Sequence, residues 1–376
     1  MTTVTRIFCC SFVLIVSFSL VEAQSISLDN AHWEKIDNAT GEELPLQVET
    51  YKGKEALKLE AHQIVRLKDQ KWKNFTLEMD MLGKSMPGLG FRVKDLFNYE
   101  FLYLRVFAGG KNTALQYAPV FNGALGWQLY NYPKYEVTAD VMPDDWVHLK
   151  VEVYEDNLRV FVGDQKTPNL AIKLLGNYSD AGQLFFKTSF ADGYFTNIQI
   201  EESQPFQVKS DPSVASSYLT DWSISPQQEG QLINQFHYYN WLEEAEKNGK
   251  WTDIKTDNDG LVNFSRYFEH PKESVFAKTI IESETDKEVE LLYDFSYAML
   301  IVLNDQILAY GIELDTENFG RITPGEQRIT LPLKAGENKL VFWVRSDDLW
   351  QKTNPLYLGR AQAMNWGFVA EIVDIK

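Results

Sequence analysis

The chain has 376 residues, 44% of them hydrophobic and 14% aromatic. That is enough for two domains with sizeable cores and argues against disorder. The net charge of −17 argues against nucleic acid and anionic membrane surfaces as partners, since both need basic patches; it leaves neutral partners or a local basic pocket.

The first element is an apolar run. Arg6 precedes "IFCCSFVLIVSFSL", and "VEA" follows. Residues 1–23 read as a signal peptide cleaved after Ala23, with Gln24 the first mature residue. Both cysteines, Cys9 and Cys10, fall inside it. The mature chain then carries no cysteine and no transmembrane segment, which predicts a secreted or periplasmic protein without disulfides. Asn-x-Ser/Thr sequons stand at Asn38, Asn74, Asn177 and Asn263, but such triplets arise easily by chance.

Residues 24–204 read as strand after strand. "FTLEMDML", "GLGFRVKD", "YEFLYLRVF", "GWQLYNY", "WVHLKVEVYE", "NLRVFVG", "GQLFFKTS" and "YFTNIQIEE" are short, rich in β-branched and aromatic residues, and broken by Gly, Asn, Asp or Pro. That spacing predicts an all-β sandwich or barrel. A hairpin is expected in "YEDNLRVFV", turning at Asp156–Asn157. Residues 205–217, "PFQVKSDPSVASS", have no period and read as a linker between two separate cores. One short helix is expected near 240–247, stopped by Gly249. Strands return from about 251, with a second tight turn at Asn304–Asp305. The fold class is therefore all-β, two β-sandwich domains, at 24–204 and 218–376.

The strand "NYEFLYLR", 98–105, frames the functional question. Tyr99, Phe101, Tyr103 and Arg105 alternate with Asn98, Glu100, Leu102 and Leu104. If the leucines point inward, a row of rings ending in a guanidinium points out. The same alternation in "GLGFRV", "ALQYA" and "GWQLYN" sends Arg92, Gln116, Gln128 and Tyr130 outward. Rings stack on the C–H face of a pyranose, and Arg and Gln bond its hydroxyls. Arg92, Tyr103, Arg105, Gln116, Gln128 and Tyr130 are thus the candidate carbohydrate-binding set on an open concave sheet. The plainer alternative is that the second domain covers these residues.

The first half resembles the concanavalin A-like lectin/glucanase jelly rolls, laminin G-like modules included. The resemblance rests on "GFRVKDLFNYEFLYLR", "ALQYAPVFNGALGWQLYNY", "DDWVHLKVEVYEDNLRVFV" and "GQLFFKTSFADGYFTNIQI". The second half resembles the galactose-binding-like sandwiches, through "MLIVLNDQIL", "LPLKAGENKLVFWV" and "NWGFVAEI". The resemblance implies a glycan or polysaccharide partner and leaves an enzyme, a binding module and a plain adhesion module open.

Two chemistries can be compared with the residues. Family 16 glucanases use a Glu-x-Asp-x-x-Glu strand, one acid attacking and another protonating the leaving oxygen. "TLEMDMLG" supplies Glu78 and Asp80, but Gly83 stands at the third position. Jelly-roll polysaccharide lyases gather Arg, Gln, His and Tyr around a uronate; Arg92, Arg105, Gln116, Tyr103, Tyr130 and His148 supply the types without the motif order. No cofactor is expected. "DNDG" at 257–260 and "PDD" at 143–145 offer oxygens to calcium, yet neither makes an Asp-x-Asp-x-Asp loop. The reading is an exported carbohydrate-binding protein. The alternatives are a hydrolase or lyase with a non-standard site, or a structural module without sugar.

Overall fold

In the computed structural model the described residues are 23–375, except 39, 132, 177–179, 210–216, 230–234, 258–259, 269–272, 313–320 and 346–365. Residues 1–22 of the expected signal peptide, the Asn177 sequon and the middle of the expected linker lie outside the described residues. The molecule is two β-sandwiches. Strands within 24–201 make an eight-stranded and a ten-stranded sheet; strands within 221–374 make a seven-stranded and a four-stranded sheet. All the strand pairs among the described residues are antiparallel.

Alternation builds the first core. Leu77, Met79 and Met81 of Phe75–Gly83, with Leu149, Val151 and Val153 of Val147–Tyr154, point in from the eight-stranded sheet. Leu89, Leu102, Leu104 and Phe186 meet them from the ten-stranded sheet. In the second sandwich Val275, Leu291, Met299, Ile301, Phe342 and Phe368 do the same. The helix Gln235–Asn248 starts earlier than expected and ends before Gly249, whose N–H donates to the Ala245 carbonyl at 2.8 Å. Tyr238, Leu242 and Ala245 of the helix pack on Phe276, Leu300, Val341 and Trp343 on the outside of the seven-stranded sheet.

The turn at Asn304–Asp305 is where the sequence puts it, with both residues at positive φ. The earlier hairpin pairs Tyr154 with Asn157, so its turn is Glu155–Asp156, one residue before the expected place. "GWQLYNY" is not a strand. Gly126–Gln128 is a 3-10 turn, and Leu129 continues in the right-handed helical region, so two-residue alternation does not apply there.

The expectation of two separate cores does not hold. Leu261, Ile322 and Val369 of the second half belong to the first sandwich's hydrophobic cluster. The described ends of the linker are docked as well. Val208 N–H donates to Asn157 Oδ1 at 3.0 Å, and the Arg159 guanidinium lies 4.0 Å over the Phe206 ring.

Candidate functional site

The six expected sugar ligands are all buried, between 0% and 9% exposed. The alternation in 98–105 is real: Leu102 and Leu104 face the core, while Tyr99, Phe101 and Tyr103 face outward with Phe185. The open groove is not. Leu125 and Trp127 pack on the ring row, and the Arg321 guanidinium lies 5.4 Å over Trp127. Tyr103 and Arg105 both donate to Gln116 Oε1. Gln116 Nε2 donates to the Trp127 and Tyr130 carbonyls at 3.0 and 2.6 Å. Arg105 also reaches Glu136 at 2.8 Å, and Arg321 of the second sandwich reaches the same Glu136 oxygen at 2.7 Å. The Gln128 carbonyl accepts from Ile322 N–H at 3.0 Å. Tyr130 donates to Asp257, which Arg266 holds at 2.9 Å. These residues join the two sandwiches.

Arg92 departs for another reason. Its strand Met86–Asp95 carries a bulge, and Arg92 sits there at φ +48. Two residues oppose one at a bulge, so the facing phase flips. Phe91 faces the core and Val93 the outer cluster, whereas alternation put them together. Arg92 turns to the Lys73 and Glu155 carbonyls. The lyase set is dispersed too, since His148 lies on the opposite sheet from Arg105 and Gln116.

That opposite sheet, the eight-stranded one, carries a polar constellation on its outer face, with Asp80 only 8% exposed at its centre and Lys54 and His148 partly exposed around it. Asp80 of Phe75–Gly83 stands directly across from His148 of Val147–Tyr154 on one side and from Thr196 of Gly193–Glu201 on the other. Asp80 Oδ1 accepts from His148 Nδ1 at 2.9 Å, and Oδ2 accepts from Lys54 Nζ at 2.7 Å and Asn197 Nδ2 at 2.5 Å. Local geometry places each donor. Lys52 and Gly53 both take positive φ in a tight turn that starts the Lys54 strand. Asn197 sits at φ +53 in a bulge that aims its amide at Asp80.

Burial pushes the Asp80 carboxyl up, but the bonds from Lys54, His148 and Asn197 outweigh it and hold the group below the ordinary carboxylate range. A carboxylate is an acceptor only, so His148 Nδ1 carries a proton and Nε2 turns towards Glu78, 3.7 Å away. Beside this row lies an aromatic corner. The Trp146 ring is half-buried with Lys54 Nζ 5.0 Å above it. Tyr51 and Tyr194 stack at 4.1 Å and 2°, over Ala56 and Leu82.

The Glu-x-Asp-x-x-Glu route lacks its third acid here. Asp80 has no proton to give, and a Cβ at Gly83 would stand 2.8 Å from the Pro87 ring, so a third acid does not fit at that position. In the two acidic turns, Asp144 binds Lys52 and Tyr51, and Asp257 binds Tyr130 and Arg266. Among the described residues no cluster of metal-ligating side chains occurs, and no helix is long and apolar enough to cross a membrane. The sequon asparagines Asn38 and Asn263 are only 3% and 1% exposed, so neither can carry a glycan in the fold.

No protein-family profile and no curated protein sequence matches the chain. Among solved structures it is similar to the carbohydrate-binding module CBM66 from Bacillus subtilis, at 16% identity and TM-score 0.35, over 46% of this chain and 96% of that one. It is similar to domain 4 of an extracellular arabinanase from Geobacillus stearothermophilus, solved with arabinotriose, at 12% identity and TM-score 0.33, over 46% and 82%. A Bacillus licheniformis β-glucanase aligns at 10% identity and TM-score 0.34, over 50% and 100%.

Proposed function

We propose that this is an exported saccharide-binding protein whose binding face is the outside of the eight-stranded sheet. The observation that carries the reading is Asp80, held by donors from three different strands beside a half-exposed tryptophan ring. A saccharide asks for a flat apolar surface and for groups that both give and take hydrogen bonds. Trp146 and Tyr51 supply the surface. Lys54 supplies donors, Glu78 acceptors, and the Asn197 amide one of each. Asp80 uses three of its roughly four lone-pair sites, which leaves about one for a hydroxyl. His148, when neutral, presents Nε2 as a further acceptor.

A glycan array of residues 24–376 selects the ligand, and titration of the best binder tests the site. Trp146→Ala and Asp80→Asn should each weaken binding by about 1–3 kcal/mol, while Trp146→Phe restores most of it. Product release is assayed alongside and is expected to be nil. If Trp146→Ala binds like the parent, this face is a solvated ladder of ion pairs and the reading fails. Export has its own check: material secreted on expression should begin at Gln24, and retention of residues 1–23 would contradict it.

A further inference from the structure

The outer face of the seven-stranded sheet contains a groove of about 630 Å³. Its origin is a parting of strands. Asp221–Ile224 pairs with Thr252–Lys255 along all four residues, and Glu273–Ser283 pairs with Gly336–Arg345 from end to end. Between these two ribbons the ladder registers only at Ser223–Lys278 and Ile224–Ala277. Beyond Ser223 the chains diverge, and the groove opens between Asp221–Trp222 and Thr279–Ile280. Its volume is in the range of small-molecule sites.

The lining sets three lysines against two aspartates on a chain that is strongly acidic overall. Lys255, Lys278 and Lys339 face Asp221 and Asp253 across it. Their existing ion pairs are loose. Lys278 and Lys339 share the carboxylate of Glu246 at 3.9 and 3.6 Å, and Lys339 also meets the 68%-exposed Asp305 at 3.2 Å. Lys255 pairs with Asp221 at 3.1 Å with both side chains more than two-thirds exposed. Such pairs contribute little and exchange easily. Lys278 is positioned from below, its ammonium 3.8 Å over the Trp251 ring. Ile280, 50% exposed, is an apolar floor, and Ser223 bonded to Asp253 adds a hydroxyl and an acceptor.

We propose that this groove is a second binding site, for a uronic-acid saccharide. One ligand carboxylate answers Lys278 and Lys339, the C–H face of the ring lies on Ile280, and the hydroxyls meet Ser223 and Asp253. The two aspartates disfavour a polyanion such as a polyphosphate or a heavily sulfated chain, because like charges across a site repel. The site is separate from the face around Asp80 and stands or falls without it.

The test uses residues 24–376 carrying Trp146→Ala, which disables the first face. It is titrated with trisaccharides of galacturonate, glucuronate and mannuronate, and with neutral galactotriose. At least one uronate should bind and galactotriose should not. Lys278→Gln with Lys339→Gln should weaken that binding by about tenfold or more with the melting temperature unchanged, and added salt should weaken it in the parent. Ile280→Asp should also abolish it. The proposal fails if none of the three uronates binds. It also fails if binding survives the double lysine variant, or if inorganic sulfate at the same concentration competes fully, since the site then recognises an anion only.

Discussion

Glu136→Ala should lower the free energy of unfolding by about 3–5 kcal/mol, the cost of breaking a buried charge pair by removing one partner. Glu136 is 0% exposed, and one of its oxygens accepts from Arg105 of the first sandwich and Arg321 of the second. Without it two guanidiniums face each other across a closed interface with their common acceptor gone. Arg105 keeps the Thr113 carbonyl and Gln116 as partners. Because the cluster also includes Leu261, Ile322 and Val369, the parent chain should melt in one calorimetric transition. Glu136→Ala should move the whole transition down or split it. A residues 24–209 fragment should fail to give a cooperative melt, since it exposes Tyr130, Leu129 and the Arg105 network. A change below about 1 kcal/mol, or a fragment that melts sharply on its own, would show that the interface is solvated and each sandwich self-sufficient.

Burial of this network explains what the sequence could and could not show. Alternation in 98–105 was legible, and it sorted Leu102 and Leu104 from Tyr103 correctly. Alternation reports which side of a strand a residue takes. It is silent on what covers that side, and here the cover comes from Trp127 and from Arg321, more than 200 residues along from Tyr103. Arg92 was misplaced because a bulge changes phase without leaving a signature in the residue types. Tyr130 and Gln128 were misplaced because a 3-10 turn was read with a strand's period. The Asp80 face was half legible. Glu78, Asp80 and His148 stood out as residue types, and "YKGK" contains a turn signal next to Lys54. That Asp80 and His148 lie opposite each other depends on strand pairing across 68 residues. Asn197 enters only through a second bulge.

The second large effect is a pH dependence with the opposite sign from ordinary carboxylates. Glu100 is 0% exposed on the inner face of Asn98–Leu104. Burial pushes its carboxyl up to about 7 from an ordinary 4.5, although the Tyr117 hydroxyl and the charges of Arg92 and Arg266 pull the other way. Tyr117 donates to Glu100 Oε2 at 2.5 Å and accepts from Leu175 N–H at 2.8 Å, so the acid sits at the end of a fixed chain. Below pH 4.5 both folded and unfolded chains hold the proton, and the group costs nothing. Between about 4.5 and 7 the unfolded chain loses it while the folded chain keeps it, so stability falls as pH rises, by about 1.4 kcal/mol per unit. Above about 7 the loss is complete, at about 3 kcal/mol. Asp80, held low by Lys54, His148 and Asn197, acts in the opposite direction at more acidic pH. Comparison with Glu100→Gln isolates the Glu100 contribution, because every other group titrates in both proteins. The glutamine keeps an acceptor for Tyr117 and carries no charge. Denaturant unfolding at pH 4.5 and pH 8 should therefore show the variant gaining about 3 kcal/mol relative to the parent between the two. An equal difference at both pH values would mean that Glu100 titrates as it does in water, and that the carboxyl is solvated rather than sealed beneath Tyr117.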